Sequence, residues 1–522
     1  MVGTFDEKFP VPLVREVPFT DPASLLPALS SQPFLAYLDS AARPPALGRY
    51  SFLCFSPFAI FRVSDGRAYW NASPLTDPPM IALNRKLQEF ALQPAGDGLP
   101  PFQGGALGYF SYEAGRLLEV LPRTSREDEA LDEILLPFYD LVLAIDHFAP
   151  GKGQDKPLTE STTQRTTERA TERAYVFSSG WPHQGHAREH HAAERLDWFC
   201  AQLSAASKAQ PALQASQTSP PPICGWRSDV SRSDFERSIS KTRHYIRQGD
   251  IFQANITQRF SAPMPKATNA TPLAYYGAMR AHNTAPFAAY LAYPDHVIAS
   301  SSPERFITLD ASGNVETRPI KGTAPRDLAN PERDKANAEL LLNSEKDRAE
   351  NIMITDLMRN DLSRVCEPGS IEVPHLCALE SYARVHHLVS TVQGRLKATN
   401  GAVALLGASF PGGSITGAPK IRSMEIITEL EDLPRGVYCG CIGYIGFNGT
   451  MDTNIAIRTV TFKDGMAHFN VGGGITILSD PAKEYEECLH KASALLTAFG
   501  TSIEDERATL EHSPATKGGE QP

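Results

Sequence analysis

The chain has 522 residues, 42% of them hydrophobic, and a formal net charge of -10, which is material for one large domain or two to three ordinary ones. An acidic balance without a long basic run excludes a nucleic-acid binder, whose affinity would rest on neutralising phosphates, and points to a small-molecule partner. Eight scattered cysteines exclude a disulfide framework, and with no stretch of ~20 apolar residues and no apolar leader, neither a membrane span nor a signal peptide is expected, so the expected location is the cytoplasm.

From about residue 11 to 150, short apolar runs alternate with Pro/Gly punctuation, as in Phe34-Leu35-Ala36-Tyr37-Leu38 and Leu141 to Ile145, and predict a strand-rich region. Between 151 and 173 the composition collapses into Thr, Glu, Arg, Gln and Lys, which reads as a solvated insertion. A strand follows over Ala174 to Ser178, then a helix from His186 to about Lys208 and a Pro/Ser/Gln-rich linker to Pro222. His186 and His190 match the inverted zinc-protease spacing, but no third ligand accompanies them and their flanks are polar, so a solvent-facing helix is expected. The organisation predicted is a strand-rich part over 1–150, an insertion-to-linker part over 151–222, a catalytic part over 223–503 and a frayed tail over 504–522.

The second half carries the chemistry. A helix should end at Gly249 before a strand that includes Gln253. Lys321 is held between Pro319, which fixes its own φ, and Gly322, which permits a turn closed to other residues, so its amine can be aimed. Burial favours the neutral, nucleophilic form of such an amine. Helical periodicity over 343–364 places Asp347 and Glu350 on one side. Phe410 to Lys420 forms a glycine-rich corner whose Ser414 adds a hydroxyl, and Arg458, in the strand-like Ile455-Ala456-Ile457-Arg458, is suited to clamp a carboxylate. After a hairpin turn at Lys463-Asp464-Gly465, Gly472, Gly473 and Gly474 are read as an anion nest. Asp480 should cap a helix that begins at Pro481, runs to about Phe499 and carries Glu484, Glu487 and Lys491 on one face. Two helices with paired carboxylates offer the hard oxygen ligands that Mg²⁺ takes.

The segments Ser302-Pro303-Glu304-Arg305-Phe306, Pro319 to Thr323, Lys346 to Asn351, Asp356 to Ser363, His387-Leu388-Val389-Ser390 and Gly417-Ala418-Pro419-Lys420, followed by the final helix, resemble in order the chorismate-utilising enzymes. The resemblance spans roughly 225 to 500. A looser one, through Leu38-Asp39-Ser40, Gly48 to Phe52 and Gly108 to Glu113, is to the large subunits of anthranilate and aminodeoxychorismate synthases. It implies an α+β fold with antiparallel sheets packed against one another and helices outside.

Isochorismate and salicylate synthases place a general-base lysine where this chain has Gln253, and anthranilate synthases an alanine where it has Lys321, so the resemblance is to the branch that aminates chorismate at C4 on the way to 4-aminobenzoate and folate. It implies Lys321 as the nucleophile, Glu304 as the general acid and His387 beside the reacting ring. Glu350 and Glu487 would ligate Mg²⁺ directly, with Asp347 and Glu484 acting through water. Arg458 and Tyr438 would take the enolpyruvyl carboxylate, the glycine nest and Lys491 the ring end, and Thr323 and Ser414 would add contacts to substrate. No glutaminase elbow is visible, so ammonia is expected from a separate glutamine amidotransferase subunit or from solution. The rivals are an anthranilate synthase component I and a catalytically silent, tryptophan-sensing subunit, and the presence of Lys321 and Glu304 speaks against the second. Cys488-Leu489-His490 stands where relatives often show Thr-x-Asn.

Overall fold

In the computed structural model, residues 9–43, 47–126, 131–149, 171–216, 219–382 and 385–511 are described, without the side chains of 211–216. Alternation of apolar and polar residues, as in Met466-Ala467-His468-Phe469-Asn470-Val471, writes much of the chain as strands with one face for a core and one for something else. They assemble into two twelve-stranded antiparallel sheets. From edge to edge, the first takes Leu13–Val17, Thr171–Ser178, Leu141–Ala149, Tyr50–Cys54, Ala36–Asp39, Phe287–Ala292, His296–Ser302, Thr459–Lys463, Met466–Ile475, Gln253–Pro263 and Arg227–Ser228, with Gly417–Ala418 also on Gln253–Pro263. The second takes Ile320–Pro325, Val385–Arg395, Asn314–Thr317, Arg305–Leu309, Met451–Asn454, Cys441–Gly446, Gly105–Phe110, Ile134–Tyr139, Ala59–Ser64, Arg67–Trp70 and Ser73–Pro74, with Glu372–Ser381 also on Val385–Arg395.

Three large apolar cores and a small one around Leu341, Cys377 and Leu388 follow among the described residues. One joins the first sheet to its helices through Trp226, Ile256, Phe469, Tyr485 and Leu496. Another joins the second sheet to its own helices through Phe61, Phe138, Met358 and Leu405. The third lies between the sheets, where Phe52 and Ile298 of the first meet Leu107, Ile442 and Tyr444 of the second. The architecture is therefore α+β, helices outside two packed antiparallel sheets. No helix among the described residues is long and apolar enough to cross a membrane.

The amino-terminal and catalytic parts read from the sequence are interwoven, because Tyr37 pairs with Tyr290 in one sheet and Gly108 with Gly443 in the other. Of the predicted insertion, 151–170 falls outside the described residues, and its last three residues open the strand Thr171–Ser178. His186 and His190 lie exposed on the helix Gly185–Ser216 beside Glu189 and Glu194, and no group of three potential metal ligands occurs among the described residues.

The frayed tail expected from 504 is corrected over its first eight residues. Ile503–Glu511 is a helix whose Ile503, Glu506 and Leu510, spaced by three and four residues, are buried on one side. The Glu506 carboxylate accepts from the backbone N–H groups of Gly225 and Trp226 at 3.0 Å each, and Leu510 joins the same core as Trp226. We expect Leu510→Ala to lower stability by about 2–4 kcal/mol, read from the urea midpoint, whereas a solvated tail would leave that midpoint unmoved.

Candidate active site

Lys321 lies in the strand Ile320–Pro325, where the pairing with Val385–Arg395 slips: Ile320 faces Val389 and Thr323 faces His387, so Lys321 and Gly322 bulge between them. Gly322 has φ +82, and a Cβ there would stand 2.9 Å from Asp347 Cγ, so the bulge needs glycine both for its backbone and for the helix behind it. The amine that results donates to the Ser414 carbonyl at 2.9 Å. Burial lowers its pKa, opposed by the charges of Glu350 and Glu304.

Glu304 is 5% exposed. Burial raises its pKa to about 7 against the pull of the Ser414 hydroxyl, of Lys321 and of the Ile320 backbone. A carboxyl group so tuned holds a proton near neutrality beside an amine that has been encouraged to lose one. His387 is also buried, and burial, with the nearby Arg458 charge, brings its pKa down to about 4, so it is a neutral imidazole. Thr323 shares a hydrogen bond of 3.0 Å with its Nδ1.

Ser414 reaches this point on the short 3₁₀ turn Gly413–Ile415. Cβ atoms on Gly412 and Gly413 would lie 2.5 Å from Ile455 Cδ1 and 2.7 Å from Leu357 Cδ2, so the corner closes on its neighbours only because both are glycine. Asn255 Nδ2 donates to the same Ser414 carbonyl at 3.1 Å. Neither Asn255 nor the carbonyl was singled out from the sequence. The Oε1 of fully buried Gln253 has no hydrogen-bond partner among the described residues.

The helices Glu345–Ser363 and Pro481–Ala498 bring their carboxylates to one place. Asp480 caps the second through a bond from Lys483 N at 3.1 Å, with proline in the first turn. Over Gly473 converge Lys491 Nζ, Glu484 Oε2 and Glu487 Oε1, at 3.2, 3.6 and 4.0 Å from where a Cβ would be. Glu350 feels the charges of Asp347 and Glu484, and burial raises its pKa. Burial works against the Glu487 carboxylate as well, but Lys491 at 2.9 Å and Lys346 outweigh it and hold its pKa low. Lys346, a further member that the sequence reading gave no role, lies 3.5 Å from Glu484.

This donor set suits Mg²⁺. Its oxygens are hard, and Glu350 Oε1 is buried without a hydrogen-bond partner among the described residues. As the side chains stand, two lysines rather than a third carboxylate complete the cluster, and no three of these groups gather closely enough to hold an ion.

Two expectations of local geometry are corrected. Gly472, Gly473 and Gly474 form no anion nest; they are regular strand residues facing Thr257, Ile256 and Asn255, and none has a positive φ. Their smallness serves close approach, since a Cβ on Gly472 would fall 2.2 Å from Ile256 O. Arg458 is not in a strand. Ile455 to Arg458 carry the chain from the strand Met451–Asn454 of one sheet to Thr459–Lys463 of the other, and Arg458 turns with φ +50. Its guanidinium is largely desolvated, which lowers its pKa, and no carboxylate pairs with it among the described residues. Tyr438 is buried in the neighbouring loop, which Cys439 N ties to Ala456 O at 2.9 Å.

A sequence model of the family described as chorismate binding enzyme matches residues 36–497. Aminodeoxychorismate synthase component 1 of Klebsiella aerogenes is 38% identical over 472 residues, 90% of this chain and 94% of that protein. Anthranilate synthase component 1 of Acetivibrio thermocellus is 39% identical over 403 residues, 77% of this chain and 76% of that one. Among solved structures, anthranilate synthase component I from Streptococcus pneumoniae TIGR4 is similar with a TM-score of 0.70 and 29% identity, covering 86% of this chain and 92% of that chain.

The pKa of Glu304 has a consequence for stability. Between 4.5, its ordinary value, and about 7 the folded chain keeps a proton that the unfolded chain has released, so stability falls as pH rises through that window. The loss is roughly 3 kcal/mol at most. Glu304→Gln should therefore gain on the wild type in melting temperature from pH 4.5 to 7 and hold that gain above it. A difference independent of pH would show that this carboxyl group is not held protonated by burial.

Proposed function

We propose that this chain, which belongs to the chorismate binding enzyme family, aminates chorismate at C4 with ammonia to give 4-amino-4-deoxychorismate, on the way to 4-aminobenzoate and folate. The observation that carries the reading is the partly buried amine of Lys321, bonded to the Ser414 carbonyl with its pKa lowered, beside a buried carboxyl group whose pKa is about 7. The extensive likeness to a protein named aminodeoxychorismate synthase component 1 supports it. Likeness to anthranilate synthases favours a second reading, amination at C2 with loss of pyruvate. Lys321 favours the first, because a nucleophile that occupies C2 would leave C4 for ammonia.

In the proposed reaction the neutral Lys321 amine bonds to C2 while both ring double bonds shift, to C1=C6 and C4=C5, and the C4–O bond breaks. Glu304 protonates the departing hydroxyl, which leaves as water. The alkylated amine returns a proton to the Glu304 carboxylate. Ammonia then bonds to C4, both double bonds shift back and the lysine nitrogen leaves C2 taking the Glu304 proton, which the new C4 ammonium group replaces, so that chorismate and ammonia become 4-amino-4-deoxychorismate and water. Ser414 and Asn255 hold the lysine in line, and Thr323 fixes the tautomer of His387 against the ring. Arg458, with Tyr438, takes the enolpyruvyl carboxylate, and Lys491, over the glycine strand, supports the ring end. Glu350 and Glu487 would hold Mg²⁺ directly and Asp347 and Glu484 through water, and the ion would supply positive charge against the ring carboxylate. A glutamine amidotransferase subunit is the proposed source of ammonia.

With chorismate, Mg²⁺ and ammonium, the expected product is 4-amino-4-deoxychorismate with no pyruvate released; anthranilate as the main product, read by mass and fluorescence, would reject the assignment. Without ammonia, wild-type protein should carry a mass adduct on the peptide containing Lys321, and Lys321→Ala should carry none. Glu350→Gln and Glu487→Gln should each lower Mg²⁺-dependent turnover by at least ~100-fold, as losses of ligand-shell groups do, with the melting temperature retained. Survival of turnover and of its Mg²⁺ dependence in either would place the metal elsewhere.

A further inference from the structure

The strands Gln253–Pro263, Met466–Ile475 and Thr459–Lys463 lie side by side in the first sheet. On the face turned to the helices, Phe260, Val460, Phe462, Ala467 and Phe469 are buried in the apolar core. The other face looks toward the second sheet, and there Arg259, Thr459, Thr461, Lys463, His468 and Asn470 line a cavity of about 530 Å³. A face between packed sheets is ordinarily apolar, since unpaired polar groups are costly to bury there. Elsewhere in the same inter-sheet space it is apolar, with Phe52 and Ile298 against Leu107 and Tyr444. Here it is polar: Thr459 shares a hydrogen bond of 2.8 Å with Ser300 and His468 one of 2.7 Å with Ser261, while Arg259, Thr461 and Lys463 stand half-buried along a cavity with room for a ligand.

Its charge says of what kind. Six of the side chains lining the cavity are arginine or lysine and three are acidic, and with Arg126 paired to Asp229 at 3.7 Å a small positive excess is left within a chain of net charge -10. Two of the acids are engaged by backbone: Glu113 accepts from Arg435 N and Gly436 N at 2.9 and 3.0 Å, and Glu133 Oε1 from Gly66 N at 3.1 Å. Arg435 is matched by Glu431 at 2.7 Å. Arg116 gives its Nε to the Pro122 carbonyl at 3.3 Å, and neither it nor Arg123 has an ion pair among the described residues. Thr461 and Asn470 present hydroxyl and amide groups from the floor, and Tyr438 forms part of the wall.

We propose that this cavity is a second binding site, for a small polyanion bearing carboxylate or phosphate oxygens, with Arg116 and Arg123 taking the anionic groups and Thr461 and Asn470 hydrogen-bonding the remainder. Because Tyr438 is shared with the substrate side, the ligand would alter the affinity for chorismate. That coupling rests on the function proposed above, whereas the binding does not.

The test uses the full chain without chorismate or Mg²⁺. Citrate, as a tricarboxylate probe, and inorganic phosphate are titrated by calorimetry into the wild type, Arg116→Gln/Arg123→Gln, Thr461→Val and Arg458→Gln. At least one probe should bind the wild type, and which one does tells carboxylate from phosphate chemistry. That binding should weaken roughly tenfold or more, about 1.4 kcal/mol, in the double variant, weaken also in Thr461→Val, and persist in Arg458→Gln. Thr461→Val removes no charge and keeps the side-chain shape, so it reports on the floor even if the arginine variant is unstable. No binding to the wild type, binding unchanged in both cavity variants, or binding lost only with Arg458→Gln would overturn the proposal. No turnover is read, so a failure of the amination reading leaves this result standing.

Discussion

The carbonyl oxygen of Ser414 accepts from Lys321 Nζ at 2.9 Å and from Asn255 Nδ2 at 3.1 Å, while the hydroxyl of the same residue bonds Glu304. One residue thus fixes the separation of an amine and an acid and gives both a partner that is not water. Without it, burial would leave the amine of Lys321 unpaired, at a cost of about 1–3 kcal/mol, and free to swing. The Lys321 strand, the glycine corner and the strand that begins at Gln253 meet there, and each must be held from behind.

The corner is held by an ion pair. Lys420, at the start of the helix Lys420–Glu431, donates to Asp361 Oδ2 at 2.7 Å and to the Ser409 carbonyl at 2.6 Å, so it ties the far end of the Glu350 helix to the residue just before the corner. At the end of the same helix, Glu431 accepts from Thr257 N at 2.8 Å and pairs with Arg435, which donates to the Ile415 and Asn255 carbonyls at 3.1 and 2.8 Å. These buried charges have partners on several sides, the condition under which burying them is tolerated. Since both pairs grip the backbone on either side of Ser414, a movement of this helix would be felt at Lys321.

Local physics was legible in the sequence wherever one residue type decides it. Gly249 ends its helix with φ +84, Asp464 and Gly465 turn their hairpin with φ +48 and +74, Asp480 caps, and Gly322 makes the bulge that aims the lysine. What depends on a distant partner was not legible. Three glycines in a row suit a nest of N–H groups and a strand crowded by its neighbour equally well, and only the pairing with Asn255 to Thr257 separates the two. Ile455 to Arg458 alternate as a strand would, and nothing local says that the chain must change sheets there. The helix from Ile503 was hidden because one of its three buried positions is Glu506, whose acceptors' partners lie some 280 residues earlier in the chain. The Ser414 carbonyl left no trace, since backbone acceptors carry no side-chain signature.

Lys321 and Glu304 titrate as a pair. Burial disfavours charge on both, so it favours the state in which the amine has given its proton to the carboxyl group; their mutual attraction favours the ion pair. The neutral state holds both an uncharged amine and a protonated carboxyl group, and it is reached by moving one proton across the pair, with none taken from solvent. A dianionic substrate placed in this cleft would pull the proton back onto the lysine unless its charge were met elsewhere. Arg458, whose charge is felt at His387, has no carboxylate partner among the described residues. In the proposed reaction it would meet the substrate's charge away from Lys321, so that an anion would bind without charging the amine.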